Sequence, residues 1–220
     1  MKQFAIRSLA LAAIASALMS STLTACVPLL IGGAAAGGSL VATDRRTSGA
    51  QLEDEGIELR GISRIRSNIG DRAHINLTSY NRQVLLTGEV PTAQDKALVE
   101  QIVARVENVS AVVNELAVMG NSSLTQRSSD ALVTGRVKSL LIDAPDLFAN
   151  SFKVVTERGT TYLMGRVTQR EADRGTNVVR ATPGVQKVVR IFEVISEDEL
   201  ARLLPTPAKP QPPSTKPQSN

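Results

Sequence analysis

The feature that most constrains the fold is an internal repeat. The segment that begins at His74 aligns without a gap to the segment that begins at Ser151, over 17 residues and at a shift of 77. Both segments alternate apolar and polar residues, end in Gly-x-Val, and carry a polar middle at residues 81–82 or 157–159. Period-two alternation around a polar turn predicts a β-hairpin. Because repeats of this length are copies of one structural unit, we expect two domains of the same fold.

Amphipathic helices are predicted on both sides of each hairpin. Thr92 and Thr168 stand where a hydroxyl can cap the helix that follows the hairpin, and a last strand is expected at 111–118 and 187–195. The predicted fold class is α+β, with two αββαβ domains that each place two helices on a three-stranded mixed sheet. Units of about 65 residues bury only small cores, so the two are expected to dock on each other. The core positions predicted on the helices before the hairpins are Ile62, Ile65 and Ile69, and Val133, Val137, Leu140 and Leu141.

The beginning of the chain has the plan of a secretory signal. Lys2 and Arg7 precede an apolar stretch at 9–19, which is too short to span a bilayer. The sequence Leu-Thr-Ala-Cys at 23–26 then matches the bacterial lipobox at every position. This resemblance implies that Cys26 is acylated and becomes the new N-terminus. Since Val27 rather than Asp follows the cysteine, the outer membrane is the expected destination.

Shifts in composition predict where the domains begin and end. Residues 27–50 are rich in Gly, Ala and Ser, and the last residues are rich in Pro, so neither segment is expected to form a core. The predicted organisation is a signal peptide (1–25), acylated Cys26 with a flexible tether (26–50), a first domain (51–120), a linker (121–127), a second domain (128–197) and a disordered tail (198–220).

The two predicted domains differ in charge. Residues 54–120 carry a net charge of −2, whereas residues 128–195 carry +3. Each Lys or Arg near an anionic bilayer contributes about 1 kcal/mol to binding. The second domain is therefore the one expected to face anionic lipid.

The order of elements and the hairpin ending resemble the BON domain. The ending Leu-x-Gly-x-Val at 86–90 and the Val-x-x-Val entry to the last strand carry the resemblance, and two such units behind a lipobox are similar to dual-BON outer-membrane lipoproteins. The resemblance implies a non-enzymatic protein that binds anionic phospholipid such as phosphatidylglycerol or cardiolipin. It also implies roles in envelope integrity and at the division site, with lipid contact through the first helix of the second domain. The chain departs from the pattern at Leu132, where a Trp would fall, and in its Pro-rich tail.

The first helix of the second domain presents a candidate lipid-contact face. Opposite its core positions, an exposed Leu lies beside cationic side chains whose stems can lie along a bilayer surface. A plain solvated face with one stray leucine is the alternative. Phe148, in the loop after the helix, is expected either to insert among headgroups or to cap the core. The candidate residues are Leu132, Gly135, Arg136, Lys138, Ser139 and Phe148.

The sequence lacks the residues that an enzyme, a metal site or a nucleic-acid-binding surface would need. The only Cys is assigned to acylation, and the only His, His74, has no partner spacing for catalysis or metal binding, so no enzyme activity, metal or cofactor is expected. An aromatic content of 3% leaves no stacking platform for nucleic acid. The alternative function is that of a periplasmic adaptor, whose acidic first domain would bind a protein of outer-membrane assembly, of cell division or of cell-wall metabolism.

Overall fold

The computed structural model describes residues 44–203, and these belong to one compact unit. Cys26, the predicted signal peptide and residues 204–220 lie outside the described residues. No helix within the described range is both long enough and apolar enough to cross a bilayer.

Two copies of the predicted αββαβ order are present. In each sheet the hairpin strands pair antiparallel and the last strand pairs parallel to the second, which confirms the mixed sheets. The first domain contains α1 (Ser48–Ile69), β1 (His74–Tyr80), β2 (Gln83–Val90), α2 (Ala93–Ala104), β3 (Ala111–Asn114) and β4 (Ala117–Val118). The second contains α3 (Leu124–Ile142), β5 (Phe152–Glu157), β6 (Thr160–Thr168), α4 (Gln169–Arg180) and β7 (Lys187–Ile195), and a short helix α5 (Glu197–Leu203) follows.

Local signals explain where the helices begin. The side chains of Thr92 and Thr168 accept hydrogen bonds from backbone N–H groups of the first turn, as predicted, and Thr168 forms a full capping box with Glu171. Thr47 and Ser123 cap α1 and α3 in the same way. Each cap satisfies a backbone donor that has no partner within the helix.

Each hairpin turn is held by an aspartate of the preceding helix. Asn81 and Arg82 adopt positive φ, and their N–H groups both donate to Asp54 on α1 at 2.8 Å. In the second domain, the N–H groups of Arg158 and Gly159 donate to Asp130 on α3 at 2.9 and 3.0 Å. A buried carboxylate therefore locks the helix to the hairpin in both copies.

The glycine shared by the two hairpin endings is required by close packing of the strands. A Cβ at Gly88 would collide with the carbonyl oxygen of His74, and a Cβ at Gly165 would collide with that of Ser151. Gly88 also has a φ of 111°, which L side chains rarely adopt. The motif that carries the BON resemblance thus marks a point in each hairpin where the packing leaves no room for a side chain.

Within residues 44–203, three apolar clusters build the core. One lies between the helices and sheet of the first domain, and its equivalent lies in the second. A third lies between the domains, where Tyr80 and Leu85 pack with Tyr162, Met164 and Ile191. Burial in this third cluster raises the pKa of Tyr80 and of Tyr162 to about 12. Each sheet therefore has helices on one face and the other domain on its opposite face.

Several boundaries differ from the predictions. Helix α1 and the segment before it begin within the predicted tether, because Thr47 caps the helix and Arg45 is buried. Helix α3 begins within the predicted linker, and α5 lies in the predicted tail, where Leu200 is buried. The last strand of the first domain is split, because Leu116 turns inward and its N–H donates to the side chain of Asn114.

Leu140 was predicted to face the core, but this is wrong. It is 40% exposed, whereas Val133, Val137 and Leu141 are buried. The core stripe of α3 follows steps of four residues, and Leu140 lies one position, about 100° around the helix, from Leu141.

Candidate functional site

The predicted lipid-contact residues of α3 lie together on the solvent side of the helix. Leu132 is 64% exposed, and Gly135, Arg136, Lys138 and Ser139 are all exposed. We call these five residues the outer face of α3. Steps of three and four residues place Leu132, Gly135, Arg136 and Ser139 on one side of the helix, because neighbouring turns stack residues i, i+3 and i+4, and Lys138 lies at the edge of that side.

The loop after α3 divides its two apolar residues between core and solvent. Leu147 is buried and belongs to the core cluster of the second domain. Phe148 is 39% exposed, and the guanidinium carbon of Arg45 lies 5.8 Å from the centroid of its ring. Leu147 therefore caps the core, and Phe148 keeps one side in solvent.

Two cations of the outer face have no protein partner within residues 44–203. Arg136 and Lys138 make no ion pair or hydrogen bond there, whereas most other cations of the second domain are paired with carboxylates. The positive charge of a cation without a carboxylate partner is not neutralised by the protein, so it is available to bind an anionic ligand. The paired cations are Lys153, Arg158, Arg166, Arg170, Arg174 and Arg190.

A cavity of about 490 Å³ opens between the two domains beside the outer face. Lys138 belongs to both features, since it lines the cavity and lies on the outer face. We call this cavity the interdomain cavity. It is lined by Asp44, Arg46, Gln51 and Tyr80, by Lys138, Leu141 and Ile142, and by Ala149, Asn150, Phe152, Lys153 and Val154.

Arg45 and Arg46, near the start of the described residues, contact both domains. Arg45 forms a bidentate ion pair with Glu171, with both N···O distances at 2.7 Å, and also donates to the carbonyl of Arg166. Arg46 donates to Asp54 at 2.7 Å and lies over the ring of Tyr80. Burial opposes ionisation of Glu171, but hydrogen bonds, chiefly from Arg45, hold its pKa below the ordinary value.

His74 belongs to a buried polar network between the domains. Its Nδ1 lies 3.0 Å from Glu89, whose other carboxylate oxygen accepts from Arg158 at 2.8 Å. Burial raises the pKa of Glu89, but hydrogen bonds from Ser122, Arg158 and His74 outweigh it and leave the pKa lowered. The carboxylate is thus ionised and can only accept, so Nδ1 carries the proton.

The same network contains donor atoms that a metal ion could use. Ligand atoms of His74, Glu89 and Glu157 lie within 4.8 Å of one another. Arg158 already supplies a positive charge to Glu89, and the amide of Asn76 donates to Glu157 at 2.9 Å. The cluster is therefore satisfied by protein groups, and its position between the domains makes it a structural contact.

Docking of the two domains was expected from the sequence, but the residues that form the interdomain contacts were not identified. The sequence pattern predicts ordinary strand and turn positions for Glu89, Glu157 and Arg158. It places Arg45 in a tether. The one available signal was the run of charged residues at 44–46, directly before a helix cap.

Both repeats of the chain are similar to known proteins. The family model of the BON domain matches residues 62–120 and 129–196. The chain is 35% identical over 175 residues to outer membrane lipoprotein DolP of Haemophilus influenzae, a match that covers 79% of this chain and 90% of that protein. It is 30% identical over 154 residues to the 21 kDa hemolysin of Actinobacillus pleuropneumoniae, which covers 69% of this chain and 79% of the hemolysin.

Among solved structures, one similar chain is CdsD, a structural protein of the type III secretion system of Chlamydia trachomatis. The two share 15% sequence identity with a TM-score of 0.27, over 64% of this chain and 96% of the other. This likeness is too low to add to the assignment. The family match over both repeats, together with the identity to DolP over most of both chains, shows that this chain belongs to the BON-domain family, in its two-domain lipoprotein type.

Proposed function

We propose that this chain is an outer-membrane lipoprotein without enzymatic activity, anchored through acylated Cys26, whose second BON domain binds anionic phospholipid through the outer face of α3. The similarity to outer membrane lipoprotein DolP and the lipobox at residues 23–26 support the location. A single acyl chain anchors a protein only marginally, and the additional chains on a processed lipoprotein cysteine make the anchor stable.

The observation that carries the lipid proposal is the exposed Leu132 one turn from Arg136, with Lys138 at the edge of the same face and neither cation paired within the described residues. Leu132 is 64% exposed, and Arg136, one turn further along α3, has no carboxylate partner within residues 44–203. A leucine inserted at headgroup depth gains free energy from apolar burial, while the cations gain about 1 kcal/mol each from the negative surface. Phe148 adds a second exposed apolar group in the loop that follows.

Vesicle co-sedimentation tests this proposal on residues 27–220, which lack the acylated cysteine but keep the whole compact unit. Binding to phosphatidylglycerol or cardiolipin vesicles is expected to exceed binding to phosphatidylcholine vesicles and to weaken with salt. Arg136→Glu reverses one charge and should weaken binding by about 2 kcal/mol, or roughly 30-fold. Leu132→Glu should have an effect of at least tenfold.

Helix α1 of the first domain offers matched controls. Leu59 is 74% exposed and Arg66 is exposed, so Leu59→Glu and Arg66→Glu make the same chemical changes on the acidic domain. Both controls should leave vesicle binding within about twofold of the parent. Equal binding to neutral and anionic vesicles, or equal losses in the two sets of variants, would refute the lipid proposal.

The proposed cellular role is support of envelope integrity at the division site. A full-length fluorescent fusion is expected to concentrate at the septum, and Leu132→Glu with Arg136→Glu should disperse it along the envelope. Point variants are preferable to deletion of the second domain, because deletion would expose Tyr80 and Leu85 of the interdomain cluster. Septal enrichment that survives both substitutions would separate localisation from lipid binding.

A periplasmic adaptor role is a second candidate, and a feature of α1 favours it. Leu52 and Leu59 are 69% and 74% exposed, and a spacing of seven residues places them on one side of the helix. Residues 54–120 of their domain carry a net charge of −2, which disfavours an anionic membrane and suits a protein partner. Photo-crosslinkers at positions 52 and 59 should capture a protein in cells, and that product should persist in the Arg136→Glu background.

A further inference from the structure

We propose that the interdomain cavity binds a single phosphodiester lipid molecule, with the headgroup at Lys138 and Lys153 and an acyl chain against Ile142 and Phe152. This inference rests on the proposed function and deepens it. The outer face of α3 would contact a bilayer surface, whereas the cavity would hold one lipid withdrawn from that surface.

The walls of the cavity have the chemistry of a lipid site. A volume of about 490 Å³ lies within the usual range of about 300–1,000 Å³ for small-molecule sites. Leu141, Phe152 and Val154 form a floor that belongs to the core of the second domain, and Ile142 stands beside it, 69% exposed. An acyl chain on this floor would cover the exposed side chain of Ile142 and the small remaining exposed surface of the floor, and so remove apolar surface from water.

The charges around the cavity select a ligand with one negative charge. Arg46 is bound by Asp44 at 2.8 Å and by Asp54 at 2.7 Å, and Lys153 is bound by Glu58 at 2.8 Å. Lys138 is the remaining cation of the lining, and it has no ion pair within the described chain. An anionic headgroup such as phosphatidylglycerol carries a single net negative charge on its phosphodiester, so it neutralises this lysine and still leaves Lys153 a donor hydrogen for a phosphate oxygen, whereas the ammonium of phosphatidylcholine would cancel that charge.

The cavity is continuous with the proposed membrane contact. Lys138 lies on the outer face of α3 and also lines the cavity, so a headgroup bound at the surface is already next to the opening. Asp44, where the described chain begins, lines the same cavity. Cys26 is 18 residues before Asp44, a reach of at most about 60 Å, which keeps the opening near the anchoring membrane.

Calorimetric titration of residues 27–220 with dioctanoyl phosphatidylglycerol, below its critical micelle concentration, tests the cavity without a bilayer. Saturable binding of one lipid per chain is expected. Gln51 lines the cavity from α1 of the first domain, away from the outer face, so Gln51→Phe fills the cavity and should weaken monomer binding at least tenfold. Lys153→Gln should weaken it by a similar factor, and dioctanoyl phosphatidylcholine should bind at least tenfold more weakly than the anionic lipid.

Gln94→Phe is the matched control, because Gln94 is an exposed residue of α2 that does not line the cavity. It should leave monomer binding unchanged. Equal affinities in the parent and Gln51→Phe, equal affinities for the two lipids, or no saturable binding would overturn the proposal. Binding that is absent for residues 27–220 but present for residues 44–220 would also overturn it, and would assign the cavity to the chain's own preceding segment.

Different results would refute the cavity proposal and the outer-face proposal. Gln51→Phe should lose the monomeric lipid and retain the parent's binding to anionic vesicles, because it leaves Leu132 and Arg136 intact. Vesicle binding that is lost in Arg136→Glu, without any binding of monomeric lipid, refutes the cavity alone. Vesicle binding that is indifferent to Leu132→Glu and Arg136→Glu refutes the outer face.

Discussion

At the scale of single residues, Glu157 in the interdomain contact makes the stability of the protein depend on pH. It is 4% exposed and accepts a hydrogen bond from Asn76 of the other domain. Burial raises the pKa of Glu157, and the nearby carboxylate of Glu89 raises it further, against the lowering effect of Asn76. The folded protein therefore binds a proton at Glu157 more tightly than the unfolded chain does.

Stability should consequently fall as the pH rises from the ordinary carboxyl pKa of 4.5 through the folded pKa of Glu157, because the unfolded state loses its proton first. Glu157→Gln keeps an acceptor for Asn76 and removes the buried charge, so its melting temperature should exceed the parent's at pH 7 and match it near pH 4. Thermal unfolding across this range measures the difference. Glu55→Gln, at an exposed site, is the control, and parallel pH profiles for the two variants would contradict the assignment.

At the scale of elements, the repeated unit is a helix fastened to a hairpin by one aspartate. Asp54 and Asp130 each accept two backbone N–H groups of a turn that contains positive φ angles. Non-glycine residues enter this region at a cost, and the carboxylate offsets it by satisfying the turn donors. The contact fixes the hairpin on the helix in both domains.

Asp130→Ala should destabilise the protein by about 2–3 kcal/mol, because two turn donors lose a charged acceptor in a site that is only 4% exposed. Urea unfolding gives the free energy, and amide exchange at Arg158 and Gly159 should accelerate. Asp130→Asn retains one acceptor and should recover part of the loss, while Asp143→Ala, at the exposed C-cap of the same helix, should cost less than about 0.5 kcal/mol. A loss for Asp130→Ala as small as that for Asp143→Ala would disprove the role.

At the scale of the whole molecule, the segment at 44–46 joins the preceding chain to both domains. Arg45 reaches Glu171 of the second domain, and Arg46 reaches Asp54 of the first. The side chains of Arg45 and Glu171 are 3% and 1% exposed, so this ion pair is shielded from solvent. A buried pair is strongly destabilising to break, because the remaining charge is left without a partner.

Arg45→Met should therefore lower the free energy of unfolding by about 3 kcal/mol, measured in urea at pH 7. The double variant Arg45→Met with Glu171→Gln removes both charges and keeps a side-chain acceptor for Thr168, so it should recover part of the loss. Arg64→Ala serves as the surface control, since Arg64 makes a single exposed hydrogen bond to the carbonyl of Arg105. No difference between Arg45→Met and Arg64→Ala would show that the Arg45–Glu171 ion pair contributes little to stability.

The sequence by itself determined the two αββαβ units, the hairpin turns, the caps at Thr92 and Thr168, and the solvent side of α3. Each of these depends on residues within a few turns or one hairpin, where periodicity and capping chemistry act directly. Only the tertiary structure decided that the sheets pack against each other, that Arg45 pairs with Glu171 across 126 positions, and that Arg158 reaches Glu89 across 69. No local pattern links such residues, because burial of charged side chains depends on which surfaces the two domains present to each other.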